Sequence, residues 1–213
     1  MSPPTDLRHP VAGDVVNGWR LVHPWHEDSW SLFFVVERQD ERRLLRMTRL
    51  PPDSPEGVEQ EQRLEREAGA LRFFQHPSRL RVHEEGRWPQ SDTGRRYLVL
   101  DFLEADRLSH WARSGVTLPR LVEVMHHLSG LVMDMHAQGL IHGDLHADNI
   151  LVRKEDRQPI LFNFIHATWP GHPSTRGGRE PSEDDDLLSL QWLMMPSKQG
   201  DEPMRRASAS RIR

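Results

Sequence analysis

The stretch IHGDLHADNILV, residues 141–152, sets two histidines, two aspartates and an asparagine between apolar anchors. Asp144 and Asn149 stand five positions apart. In a curled loop that spacing lets both side chains face one cavity. An aspartate there can take a proton from an alcohol, and an asparagine carbonyl can ligate a hard metal ion. His142 and His146 are four apart, which on a helix would give a zinc-type pair. Gly143 argues against a helix, and histidines in such a loop read as structural hydrogen bonders. Further on, ILFNFIHA, residues 160–167, is a second apolar run with an asparagine, Asn163, in it.

Such residues need elements to position them. WRLVH, WSLFFVVERQ and RRLLRMTRL, between Trp19 and Leu50, read as short strands, with QDER as a hairpin turn. PPDSPEG is a loop by its prolines and glycine. Val58 to Phe74 is predicted helical, because Leu64, Ala68, Leu71 and Phe74 recur at helical spacing. RLRVHEEGRW and RRYLVLDFL read as two strands joined by a polar loop, and DRLSHWARSG as a short helix. Leu118 to Gln138 carries one apolar stripe, Leu121, Val124, Leu128, Leu131, Val132 and Met135, with Gly139 as its cap. Short strands are expected at Ile150–Val152 and Pro159–Phe162. Residues 169–183 read as loop, and DDDLLSLQWLMM as a helix with acids at its N-terminus. The order predicts an α+β chain, a small β-rich lobe followed by a mainly helical one. Residues 1–18 read as an N-terminal arm and 196–213 as a disordered tail.

Composition narrows the classes. The chain has 213 residues, 36% hydrophobic and 28% charged, with a formal net charge of −4. That charge speaks against general nucleic-acid binding. The absence of cysteine removes disulfides, thiolate nucleophiles and cysteine-based zinc sites. MSPPTDLRHP has no apolar signal core. The longest apolar run is about five residues, against about 20 for a membrane helix. A cytoplasmic protein without a membrane partner is expected. Every basic residue except Lys154 and Lys198 is arginine.

His142-Gly143-Asp144-Leu145, followed by Asn149-Ile150-Leu151-Val152, resembles the catalytic loop of the protein-kinase superfamily, H-x-D-x-x-x-x-N. The HGD form is similar to loops in atypical kinases and in aminoglycoside and choline phosphotransferases. EREAGALRFFQHPSRLRVHEEG is similar to the kinase C-helix and the strand after it, which places Glu67 at the ion-pairing glutamate. RRYLVLDFLEADRLSHW resembles the strand leading into the hinge, with Asp101 to Leu103 as the adenine-facing linker. EDDDLLSLQWLMM looks like the start of the F-helix, with Asp186 as a buried aspartate under the catalytic loop. The resemblance implies a two-lobe protein-kinase-like fold, with an N-lobe at 19–103 and a truncated helical C-lobe at 104–195. It also implies ATP and Mg²⁺ as cofactors, Asp144 and Asn149 as catalytic residues, and Asn149 and Asn163 as metal ligands. Arg46, Glu67, Asp101, Leu103 and Asn163 would line the nucleotide site.

The pattern is also broken in four places. The conserved lysine position of the third kinase strand aligns with Arg46, which keeps the charge but is planar and bulkier. Its ordinary alternative is a surface strand arginine. The metal-binding aspartate of DFG is replaced by Asn163, with Phe164 and Ile165 after it, so a neutral amide stands where phosphoryl transfer relies on a carboxylate. The glycine-rich phosphate loop is absent: HPWHEDSW has no glycine, and Glu27 and Asp28 would repel phosphates. Trp25 or Trp30 would either cover a nucleotide or simply pack. The sequence ends soon after the first helix beyond the activation segment, in which Ser174, Thr175 and Ser182 are candidate phosphosites; RRAS, ending at Ser208, is another. Two readings follow. One is a degenerate kinase-like module that binds a protein partner, with ATP and Mg²⁺ binding weakened or lost. The other is an active phosphotransferase in which Asp144 accepts the hydroxyl proton of a Ser/Thr protein or a small alcohol.

Overall fold

The computed structural model describes residues 8–89, 92–174 and 179–194. The tail expected at 196–213, with Ser208, and the candidate phosphosite Thr175 lie outside the described residues.

The N-terminal half is a six-stranded antiparallel sheet. Its strands are β1 (Val15–Val16), β2 (Trp19–Glu27), β3 (Ser31–Arg38), β4 (Glu41–Thr48), β5 (Val82–Trp88) and β6 (Arg95–Asp101), in the order β1-β2-β3-β4-β6-β5. β3 is apolar from Leu32 to Val36 and is buried along that run, because it packs on both faces. The two-residue period of a strand sorts its side chains. Phe33 joins Leu44, Leu98 and Leu100 on the face toward the helical half. Leu32, Phe34 and Val36 join Leu45, Met47, Tyr97 and Val99 on the other.

That second face is covered because the sheet curls until its end strands meet. Glu84 on β5 accepts hydrogen bonds from Asn17 (2.8 Å), Trp19 Nε1 (3.1 Å) and Tyr97 Oη (2.9 Å). Trp88 Nε1 donates to the Val15 carbonyl at 3.1 Å. These donors hold the Glu84 carboxyl below its ordinary range against the opposing effect of burial, and burial, aided by the hydrogen bond to Glu84 and its charge, pushes the Tyr97 hydroxyl up. The sheet therefore starts at Val15 rather than at Trp19, inside the segment expected to be an arm.

Helix α1 (Pro55–Phe73) crosses the sheet. Ser54 caps it, accepting from the Gly57 N–H at 3.0 Å, and Pro55 opens it, so it begins three residues before the periodic apolar run. β7 (Ala105–Arg107), α2 (Leu108–Trp111) and α3 (Leu118–Ala137) follow. Gly139, at φ +77°, ends α3 in the left-handed conformation that glycine adopts without strain. β8 (Ile150–Arg153) pairs with β7 on one side and with β9 (Pro159–Leu161) on the other, in the order β7-β8-β9. α4 (Glu183–Met194) closes the described chain. Asp185 fixes the start of this helix: both the Ser182 N–H and its hydroxyl donate to Asp185 Oδ2 at 2.8 Å. One apolar cluster runs from the sheet (Phe33, Leu44, Leu98) through α1 (Leu64, Leu71) to α3 (Val124, Leu128, Val132) and the β8–β9 pair. No helix among the described residues is long and apolar enough to cross a membrane.

Candidate functional site

Residues 141–149 form a loop between α3 and β8, fixed from below by α4. Asp186, 1% exposed, accepts from the His142 N–H (2.8 Å) and the Gly143 N–H (3.1 Å), and its Oδ2 lies 3.1 Å from His136 Nε2 on α3. Gly143 has a local cause. Its φ is +73°, and a Cβ there would sit 2.8 Å from the His166 carbonyl oxygen. Neither arginine nor any other L side chain fits that place without a shift. His142 is fully buried; its Nε2 meets the Phe162 carbonyl at 3.1 Å, and its ring packs on Phe164 with centroids 4.7 Å apart. Burial pushes its pKa below the usual histidine value, against Asp186, the Phe162 carbonyl and Asp144, with His146 adding to the depression. Phe164 lies near Phe74, which stacks on His76, so four rings from three segments lie in contact.

Above the loop, the sheet and α1 supply a buried ion pair. Arg46 on β4 is 1% exposed and Glu67 on α1 is fully buried, which removes the reading of Arg46 as a surface strand residue. Arg46 Nη1 donates to Glu67 Oε2 at 2.5 Å and Nε donates to Ser31 Oγ at 2.9 Å. The Phe33 and Phe162 rings flank the guanidinium, with centroids 4.9 and 5.9 Å from its carbon. Burial raises the Glu67 pKa, and the Arg46 charge opposes that rise.

The remaining Arg46 nitrogen leads down to the loop. Nη2 donates to Asn163 Oδ1 at 3.0 Å; Asn163 Nδ2 donates to Asn149 Oδ1 at 3.1 Å. Asn149 Nδ2 donates to the Asp144 backbone carbonyl at 2.8 Å and to Asp144 Oδ2 at 3.3 Å. Asn163 holds φ +68°, a conformation asparagine tolerates better than most residues. His146 takes its own partners: Nδ1 accepts the Asp148 N–H at 3.2 Å, and Nε2 lies 3.8 Å from Asp144 Oδ2. The two loop histidines thus serve different neighbours.

Of the residues singled out in the sequence, Arg46, Glu67, Asn149, Asn163 and Asp144 are brought into one hydrogen-bonded line. Asp101 is not: its carboxylate accepts from the Arg81 N–H (2.9 Å) and lies 2.6 Å from His83 Nε2, on the strand-pairing side. Leu103 packs against the main core. Trp25 packs edge-on to Phe33 with centroids 6.0 Å apart, and Trp30 lies under the Arg63 guanidinium. Ser31, Phe33 and His136 escaped sequence reasoning. Phe33 faces Arg46 only because the β3–β4 register pairs them.

The architecture matches known proteins. The kinase domain of Mycobacterium tuberculosis PknI superposes with a TM-score of 0.60 and 22% sequence identity, covering 85% of this chain and 74% of that one. Serine/threonine-protein kinase Pkn1 of Myxococcus xanthus is 28% identical over 122 residues, 55% of this chain and 17% of Pkn1. The chain belongs to the protein-kinase-like superfamily. Residues 97–167 match the lipopolysaccharide kinase (Kdo/WaaP) family. PknF of Mycobacterium tuberculosis is similar at 27% identity over 146 residues, 65% of this chain and 29% of PknF. The chain thus spans 17% and 29% of the lengths of these two curated kinases.

Kinase-like proteins in general use ATP and a divalent metal ion. The residues here fit that ion poorly. The amide oxygens of Asn149 and Asn163, which the sequence resemblance implies as its ligands, each already accept an N–H. One of those donors belongs to a guanidinium cation, and neither ligand position carries a carboxylate.

Proposed function

We propose that this chain is a degenerate kinase-like module that works by binding a protein partner, with its hold on ATP and Mg²⁺ weakened or lost. The observation that carries the reading is Asn163. It stands where a kinase-like site needs an acid, and its amide is engaged on both sides, by Arg46 and by Asn149. Loss of one well-placed electrostatic contact to a transition state costs about 3–4 kcal/mol, roughly a hundredfold to a thousandfold in rate. Here the acid, the glycine-rich loop and the lysine are all replaced. The test is an ATP titration of the purified protein followed by tryptophan fluorescence, with Mg²⁺ and then with EDTA. The expected result is no tight binding that depends on Mg²⁺. Tight Mg²⁺-dependent binding together with phosphate transfer sinks the reading.

A second reading, an active phosphotransferase, rests on Asp144. Its side chain is about a third exposed, and Asn149 orients it at 3.3 Å, as a base facing an alcohol would require. The family match adds sugar hydroxyls to the protein and small-alcohol substrates this reading would test. Under it, Asp144→Ala abolishes phosphate transfer; under the first reading, Asp144→Ala leaves partner binding unchanged.

A further inference from the structure

The line of hydrogen bonds through the cleft has a direction fixed by chemistry. It starts at a guanidinium, which only donates, and ends at the Asp144 side-chain oxygen and backbone carbonyl, which here accept. Between them stand two amides that could each be turned either way. Because Arg46 can only donate, Asn163 must present its oxygen upward and its NH₂ downward. Asn149 must then accept with its oxygen and donate to Asp144 with its NH₂. No other orientation satisfies all three links. The head of the line is itself tied: Glu67 balances the Arg46 charge, Ser31 takes Nε, and Phe33 and Phe162 shield the group from water.

We propose that Arg46 is the resident cation of this cleft: its guanidinium takes the place of a divalent ion and clamps β4, α1 and the 141–149 loop together with no ligand bound. A divalent ion at Asn149 and Asn163 would have to share two neutral oxygens that already accept N–H groups, and sit beside a buried positive charge. The proposal rests on the reading of the chain as a non-catalytic module, and goes beyond it by naming what holds the two halves in register.

The experiment titrates Mn²⁺ into the full-length protein, with and without ATP, reading bound ion by electron paramagnetic resonance. Amide hydrogen exchange is followed over the same samples. All Mn²⁺ added to the wild type alone is expected to stay free, and amides of 141–149 to exchange at the same rate with and without the metal. Arg46→Gln, which removes the charge, is expected to speed exchange in 141–149 at least tenfold. Should that variant not fold, Asn163→Ala cuts the line while leaving the Arg46–Glu67 pair, and is expected to speed exchange in 141–149 while β4 and α1 stay protected. One Mn²⁺ bound per chain in the wild type overturns the proposal, as does unchanged exchange of the loop in a folded variant. Phosphate release from ATP in the same tubes separates the two claims. Turnover without bound Mn²⁺ refutes the non-catalytic reading and leaves the Arg46 assignment intact. Bound Mn²⁺ without turnover does the reverse.

Discussion

Removing the Asp186 carboxylate is expected to be the most damaging small change in the helical half. Its two oxygens satisfy two consecutive backbone N–H groups, at 2.8 and 3.1 Å, and face the His136 ring nitrogen at 3.1 Å. Asp186→Ala strips the acceptor from all three groups. Each buried donor left without a partner costs about 1–3 kcal/mol. Gly143 and His136 are less enclosed than His142, so the lower half of that range applies to them, and the total comes to about 3–7 kcal/mol. Asp186→Asn keeps one acceptor oxygen and is expected to cost about 1–2 kcal/mol on the same basis. Urea unfolding followed by tryptophan fluorescence measures both. With a slope of about 2 kcal/mol per molar urea, the midpoint falls by about 1.5–3.5 M for alanine and by about 0.5–1 M for asparagine. Asp184→Ala, on the exposed side of the same helix, is the control and should stay within about 0.5 kcal/mol of wild type. A midpoint for Asp186→Ala within about 0.5 M of wild type refutes the reasoning. So does an asparagine variant as unstable as the alanine one.

Two further outcomes are expected. His142 keeps a folded pKa below its unfolded value, so the unfolded chain binds the extra proton first as pH falls. Its contribution to stability is present above the ordinary histidine pKa of about 6.5 and is lost as pH drops below it toward the folded pKa. His26 shifts in the same direction, so the comparison is with His142→Gln, whose midpoint should fall less steeply over that window; equal slopes would count against this account. Gly143→Arg, which restores the commoner kinase triplet, should lower stability by about 2–3 kcal/mol, because the left-handed backbone and the His166 carbonyl both reject a side chain. An unchanged melting temperature would show that the loop relaxes freely.

The helices were legible because their apolar positions repeat. Leu64, Ala68 and Leu71 on α1, and Val124, Leu128 and Val132 on α3, lie buried as the spacing requires. Asp186 could be picked from four successive acids only through the resemblance; the other three differ from it in burial, not in residue type. β1 and β7 were missed because strands of two and three residues carry no period of their own and exist through their partners. The site was half legible. Spacing and resemblance pointed to Asp144, Asn149, Asn163, Glu67 and Arg46, but not to their connection in one line. That depends on strand register, which sets Phe33 opposite Arg46, and on a backbone turn that brings Asn163 beneath the guanidinium. Neither is written in local sequence.

The curled sheet also bears on how the chain keeps to itself. A bare strand offers a row of unpaired N–H and C=O groups on which another molecule can dock and aggregate. The outer strand β2 has little of that row left. Val15 and Val16 pair with Arg20 and Trp19, and Leu21 exchanges hydrogen bonds of 2.8 Å with Gly13 and Asp14. Beyond them, Pro24 lies within β2 and has no N–H to offer an incoming strand. The lead segment and one proline together guard this side of the molecule against strand-to-strand association, so shortening the chain to Trp19 would remove a seal.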